Sequence, residues 1–220
     1  MIRLENIYIK SDENTVLIGN INIFIPSGSL VSITGSLGSG KSKLFNILGL
    51  QEKASSGNLF ILGKNIAKLN RNELSSVHSE ISLVCEDLDL VKNLGIEENI
   101  ILPLIVTNKG KDEISAAVHE LVPWLNLNKL LKKRVVNLSR YEKKMVLFAR
   151  AIIVRPRILL LDNIFEGLDG EYKKKISYLL LALKKIGTTI ISFRNENYDD
   201  VLDYNKNYKI ENSMLVKYEI

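Results

Sequence analysis

Residues 35–42 read Gly35-Ser36-Leu37-Gly38-Ser39-Gly40-Lys41-Ser42, the complete pattern G-x-x-x-x-G-K-[ST]. The run ahead of it, Leu30-Val31-Ser32-Ile33-Thr34, is apolar and β-branched, as a buried strand is. Behind it, residues 41–50 carry Leu44, Ile47 and Leu48 at helical spacing. Strand, glycine loop and helix make the geometry in which backbone N–H groups surround nucleotide phosphates at a helix N-terminus. Glycine permits that approach because a side chain there would block it. The pattern assigns Lys41 to the β- and γ-phosphates and Ser42 to Mg2+. The alternative is a glycine-rich turn that binds nothing.

Working outward, 220 residues suffice for one α/β domain with a sizeable core and an inserted subdomain. Nothing resembles a signal peptide, and no apolar run approaches the ~20 residues of a membrane span. The most apolar stretch, residues 100–106, is too short. Cys85 is the only cysteine, which excludes an internal disulfide, and it reads as a small buried apolar residue. The formal charge of +5 is scattered, with short clusters at 129–134 and 173–175. A nucleic-acid groove needs a concentrated basic stripe with interleaved aromatics, so no nucleic-acid partner is expected.

Residues 3–9 alternate apolar and polar as a half-buried strand, and 16–25 return as a second. Further strands are expected at 58–62, 81–85, 157–162, 188–193, 208–210 and 215–218. Helices are expected at 112–125, 138–154 and 171–185, from their apolar spacing. Trp124 reads as a packing residue. The order predicts an α/β P-loop fold, with a mostly parallel core sheet and antiparallel strands at the N-terminus. The expected division is one nucleotide-binding domain, 1–220, with a core of about 1–86 and 156–220. A helical subdomain of about 87–155 is inserted between them. Asp162, ending an apolar strand, is the expected Mg2+ partner of Ser42, the alternative being a helix cap.

The succession of glycine loop, helical insert, Leu138-Ser139, Ala149-Arg150-Ala151, Leu161-Asp162 and Gly167-Leu168-Asp169 resembles an ABC-type ATPase along almost the whole chain. Residues 86–90, 98–104, 142–144 and 148–153 are most similar to the cell-division branch of that family, the FtsE type. The resemblance implies ATP with Mg2+ as cofactors, and a homodimer formed on ATP binding. Each ATP would lie between one subunit's loop, residues 35–42, and the other's signature at Ser139. It further implies a polytopic, FtsX-like membrane partner seated in a groove near Glu86 and Leu104. The protein is then cytoplasmic and peripheral on the inner membrane, coupling nucleotide state to its partner in cell division. A lipoprotein-release or efflux ATPase and a non-hydrolysing, nucleotide-gated scaffold are the alternatives.

Several positions depart from the family. The expected catalytic Glu is Asn163, which can hydrogen-bond a water but cannot take its proton. General-base help is worth roughly 10²–10⁴ in rate. The metal-sensing Gln is Glu86, which can still ligate Mg2+ but repels the triphosphate. The switch His is Asn195, and the adenine-stacking aromatic falls at Ser11, with Tyr8 nearby. The signature reads Leu138-Ser139-Arg140-Tyr141-Glu142. Arg140 offers a charge-assisted phosphate contact, but the bulk of Arg140 and Tyr141 is expected to obstruct a nucleotide across a dimer. Nucleotide binding with slow or lost hydrolysis is the expectation.

Overall fold

The computed structural model describes residues 1–85, 89–195 and 202–218. Among them, a four-stranded antiparallel sheet joins β1 (Ile2–Lys10), β2 (Val16–Ile25), β4 (Ser56–Ile61) and β5 (Lys64–Asn65) in the order β2-β1-β4-β5. A six-stranded sheet contains β3 (Leu30–Gly35), β6 (Ile81–Val84), β7 (Ile158–Asp162), β8 (Thr189–Arg194), β9 (Lys206–Glu211) and β10 (Met214–Tyr218). Its order is β10-β9-β3-β8-β7-β6, and every pairing is parallel except that of the edge strand β10. This is the expected mixed α/β architecture. Central parallel strands are covered on both faces, which is why β3 is buried throughout and β7 reads Ile-Leu-Leu-Leu.

Strand alternation divides the core in two. Leu30, Leu159, Leu161 and Ile190 point to a helical layer of α3 (Ile96–Val106), α4 (Lys111–Trp124), α5 (Arg140–Ile152) and α6 (Gly170–Lys185). Val31, Ile33, Ile158, Leu160, Ile191 and Phe193 point the other way. There they meet α1 (Lys41–Leu48) and the inner face of the antiparallel sheet. The greasy run 100–106 belongs to α3, where Ile100 and Leu104 are buried while Ile105 and Val106 stay exposed. Asn99, fully buried, ties the preceding loop to α3: Oδ1 accepts the Val91 N–H at 2.7 Å, and Nδ2 donates to the carbonyls of Val91 and Gly95 at 3.0 and 2.9 Å.

A helix absent from the periodicity reading, α2 (Arg71–His78), starts on a reciprocal capping box. The Asn70 side chain accepts the Glu73 N–H, and the Glu73 carboxylate accepts the Asn70 N–H, both at 3.0 Å. Cys85 is half-buried rather than buried. Trp124 packs only in part: it is 39% exposed and stacks on Tyr178 with ring centroids 5.9 Å apart.

The parallel register places the site. Strand β8 lies between β3 and β7, pairing Thr34 with Arg194 and Phe193 with Asp162. The C-terminal ends of three adjacent strands therefore bring the glycine loop, Asp162 and Asn195 to one edge of the sheet, where open α/β sheets bind ligands.

Candidate nucleotide site

Gly38 and Gly40 sit at φ +78° and +93°, the left-handed region that favours glycine. A Cβ on Gly40 would also stand 3.1 Å from Ile18 and Leu17. Gly40 is the N-cap of α1, whose first turn holds no acidic residue, so its amide dipoles face the loop without a competing charge. Lys41 is buried, and its ammonium folds back to donate to the carbonyls of Gly35 and Ser36, the latter at 2.8 Å. The Ser39 hydroxyl is buried with no hydrogen-bond partner among the described residues.

A cavity of about 270 Å³ opens over this loop. Ser36, Leu37, Gly38, Gly40, Lys41 and Ser42 line one side, and Asp162, Asn163 and Asn195 the other. Gly35 and Ser39 lie behind the lining. Gly35 must be glycine because a Cβ there would meet the Ser39 hydroxyl at 2.7 Å. A hydroxyl and a carboxylate on opposite walls form the hard-oxygen set that Mg2+ takes together with substrate phosphates, so the residues fit Mg-nucleotide. Asp162 caps no helix; the next one, α6, is capped by Asp169, which accepts the Tyr172 N–H at 3.0 Å. Glu86, the other expected metal ligand, lies outside the described residues.

Asn163 is held at φ +48°, with its backbone N–H donating to the Phe193 carbonyl at 2.9 Å. Its amide Nδ2 donates to Asp162 Oδ1 at 3.1 Å, so the side chain leans on the carboxylate. Asn195 is exposed on the cavity wall, whereas Arg194 turns away, donating to Ser32 Oγ at 2.9 Å and lying 5.1 Å over the Tyr204 ring. Among the described lining residues there is neither an imidazole nor a carboxylate besides Asp162. The arrangement can bind and orient; besides Asp162, the described lining residues offer no group to accept a proton from water. Among the described residues no aromatic ring lines the cavity. Tyr8 instead packs beside Gly19, and Ser11 closes its own loop by accepting the Thr15 N–H at 3.2 Å.

Ser139 is not brought to this cavity. It is the N-cap of α5, accepting the Glu142 N–H at 3.2 Å while Glu142 accepts the Ser139 N–H at 3.0 Å. Tyr141, expected to obstruct a nucleotide across a dimer, is engaged within its own chain. Its ring packs back on Tyr172 of α6, centroids 4.5 Å apart, and burial followed by the neighbouring Tyr172 hydroxyl pushes its phenol pKa up. Arg140 remains exposed and lines a separate hollow of about 180 Å³ with Cys85, Lys143, Lys144 and Asp162. Lys143 pairs with Asp89 and holds that carboxyl below its usual range. Lys144 entered the sequence reading only as part of the family-like stretch 142–144, with no structural role assigned to it. It is nine-tenths buried and donates to the carbonyls of Asn163 and Glu166 at 3.1 and 2.9 Å. Its spacing with Tyr141 and Phe148, on the buried face of α5, was the available signal.

Comparison with known proteins agrees with this geometry. A dimeric ATP-binding cassette, MJ0796, described in a post-hydrolysis state bound to ADP and Pi, superposes with a TM-score of 0.89 at 26% identity, covering 100% of this chain and 98% of that one. A second dimeric structure of MJ0796, described as a bacterial ABC transporter cassette, gives a TM-score of 0.88 at 26% identity, covering 98% and 96%. Methionine import ATP-binding protein MetN of Francisella tularensis is 32% identical over 200 residues, which cover 89% of this chain and 57% of the relative. MetN of Clostridium acetobutylicum is 31% identical over 192 residues, covering 87% and 60%. The chain thus spans rather less than two thirds of the length of these relatives. Residues 18–166 match the family described as ABC transporter, and with the phosphate loop and Asp162 inside that span, the chain belongs to this family.

Proposed function

We propose that the protein is the ATP-binding subunit of a membrane ABC complex, one that holds Mg-ATP firmly and cleaves it slowly. The observation that carries this reading is the composition of one cavity. Lys41, Ser42 and Asp162 line it as phosphate and metal ligands would, and Asn163 and Asn195, which the resemblance aligns with the family's base and switch, line the same cavity. When bound, Mg2+ supplies charge neutralisation to the triphosphate. The chain's own residues do the rest. The loop amides and Lys41 hold phosphate oxygens, Ser42 and Asp162 hold the metal, and the Asn163 amide orients a water without taking its proton.

The partner surface we assign is the groove of about 560 Å³ between α3 and α4, part of the helical subdomain of about 87–155. Ile101, Ile105, Ile114 and Val118 line it, with Glu97, Lys111 and His119 on its rim. A short cytoplasmic helix of a polytopic protein fits such an apolar slot with a charged edge. The dimeric state of both MJ0796 structures supports pairing through the nucleotide face. Carriage of a small solute, as the name of the MetN relatives states for them, is the favoured cargo reading. The cell-division role rests on the FtsE-type stretches alone and is the second reading.

The test combines binding and partner. Purified protein should bind ATP with Mg2+ and lose binding on Lys41→Ala, with steady-state turnover far below that of an ordinary ABC subunit. Turnover at the ordinary rate, abolished by Lys41→Ala, would sink the slow-cleavage reading. Co-purification from membranes with a solute permease supports transport; recovery of a four-helix division protein supports the second reading.

A further inference from the structure

Lys144 lies one turn into α5, yet its ammonium is spent on a different segment. It donates to the carbonyls of Asn163 and Glu166, which are the ends of one turn. That turn is closed by the Glu166 N–H donating to the Asn163 carbonyl at 3.1 Å. The Asn163 oxygen therefore gives one lone pair to the turn and the other to Lys144. A lysine is an unusual choice for a buried helix face, where packing alone would select an apolar side chain. A buried ammonium must be hydrogen-bonded, and its bonds to these two carbonyls fix them relative to α5. Residue 163, at φ +48°, is the point where the chain passes from Asp162 into this turn.

We propose that Lys144 is a positioning residue for the metal side of the nucleotide site, fixing through the 163–166 turn the direction in which Asp162 and Asn163 face the cavity. This rests on the reading that the cavity takes Mg-ATP. The glycine loop is held by its own bonds from Lys41 to Gly35 and Ser36, so Lys144 acts on the metal-dependent part of affinity only.

The experiment is calorimetric titration of the full chain with ATP, once in excess chelator and once in Mg2+. In Lys144→Ala the chelator affinity stays at the wild-type value, while the tightening conferred by Mg2+ shrinks about tenfold, the range seen when a ligand's outer support is removed. Lys144→Arg, able to donate to both carbonyls, recovers most of it, and amide exchange at Glu166 accelerates in the alanine variant alone. If Lys144→Ala does not fold, Lys144→Met, closer in volume, carries the same comparison. A wild-type Mg2+ increment in the neutral variant overturns the proposal, as does an equal fall of both affinities or an arginine variant no better than alanine. A wild-type chain that binds no ATP in either condition overturns the nucleotide reading first and this assignment with it.

Discussion

Replacing Asn163 by glutamate places a second carboxylate beside Asp162 on a wall whose other described residues carry no proton acceptor, and the structure sets both the cost and the gain. The backbone at 163 is left-handed, φ +48°, which asparagine tolerates better than longer side chains; the change costs about 1 kcal/mol there. It also removes the Nδ2 bond to Asp162 Oδ1 and sets two carboxylates on adjacent residues. Both partners are half-exposed, so that loss is discounted to about 1 kcal/mol. A total near 2 kcal/mol lowers the melting temperature of a chain this size by about 4–8 °C.

The gain is general-base assistance, roughly 10²–10⁴ in rate. With Asn195 unchanged, the low end is expected, about 10²-fold, equivalent to about 2.7 kcal/mol of barrier. The assay is steady-state phosphate release at saturating Mg-ATP, with Asn163→Gln as control because it copies the length without the charge. A folded, ATP-binding N163E that turns over no faster than wild type would refute the reasoning. So would an N163Q variant that gains as much.

Asn99→Ala removes the acceptor of the Val91 N–H and the amide bonds to the Val91 and Gly95 carbonyls, while the Val91 carbonyl keeps the Leu94 N–H, so unfolding by urea should show a loss of about 2 kcal/mol. Tyr141→Ala removes a half-buried ring from Tyr172 and should cost about 2 kcal/mol, while leaving ATP affinity of the isolated chain unchanged by titration. The Glu142 carboxyl is held below its usual pKa, first by Lys133 and then by the Ser139 N–H. A depressed carboxyl contributes stability that is complete above its unfolded pKa and lost as pH falls through the folded one. Denaturation followed from pH 7 to 3 should therefore show stability declining below roughly pH 4.5, with a shallower decline in Glu142→Gln.

The legible parts of the fold were those where one pattern had no competitor. The glycine loop needs two left-handed positions and a close backbone approach, so its glycines are visible in the sequence, and β7 can only be a doubly covered strand. Helix α2 carries a weak apolar stripe with only Val77 buried, so periodicity was silent where the Asn70–Glu73 box was not. The residue type of Tyr141 gives bulk but not direction. Only the packing of α5 on α6 shows that the ring turns inward. Lys144 was hidden for the same reason, since a lysine among Glu142, Lys143 and Met145 looks like surface until the helix is placed against the 163–166 turn. Asn99 is the opposite case: a buried amide whose partners are all backbone within eight residues, recognisable once α3 is assigned.

The first turn of α5 joins these observations. In a phosphate-facing helix N-terminus, small residues leave the amides open to a ligand. Here Ser139 is engaged by Glu142, Tyr141 by Tyr172, and Lys144 by the carbonyls of Asn163 and Glu166. Ser139 is thus committed within α5 itself, while Tyr141 and Lys144 are committed to this chain's own β7–α6 segment, the segment that also carries Asp162. A movement of α5 must then drag residues 163–172 with it, whereas the glycine loop hangs from β3 and α1 on separate bonds. Binding of phosphate and orientation of the metal are thus mechanically separable in this molecule. That separation predicts that Lys144→Ala and Asn163→Glu, which share the 163–166 turn, deviate from additivity in Mg2+-dependent affinity. Lys144→Ala and a substitution at the exposed Leu37, on the opposite wall, add independently. Equal coupling in both pairs would show the site to be one rigid unit and would remove the distinction between its phosphate and metal sides.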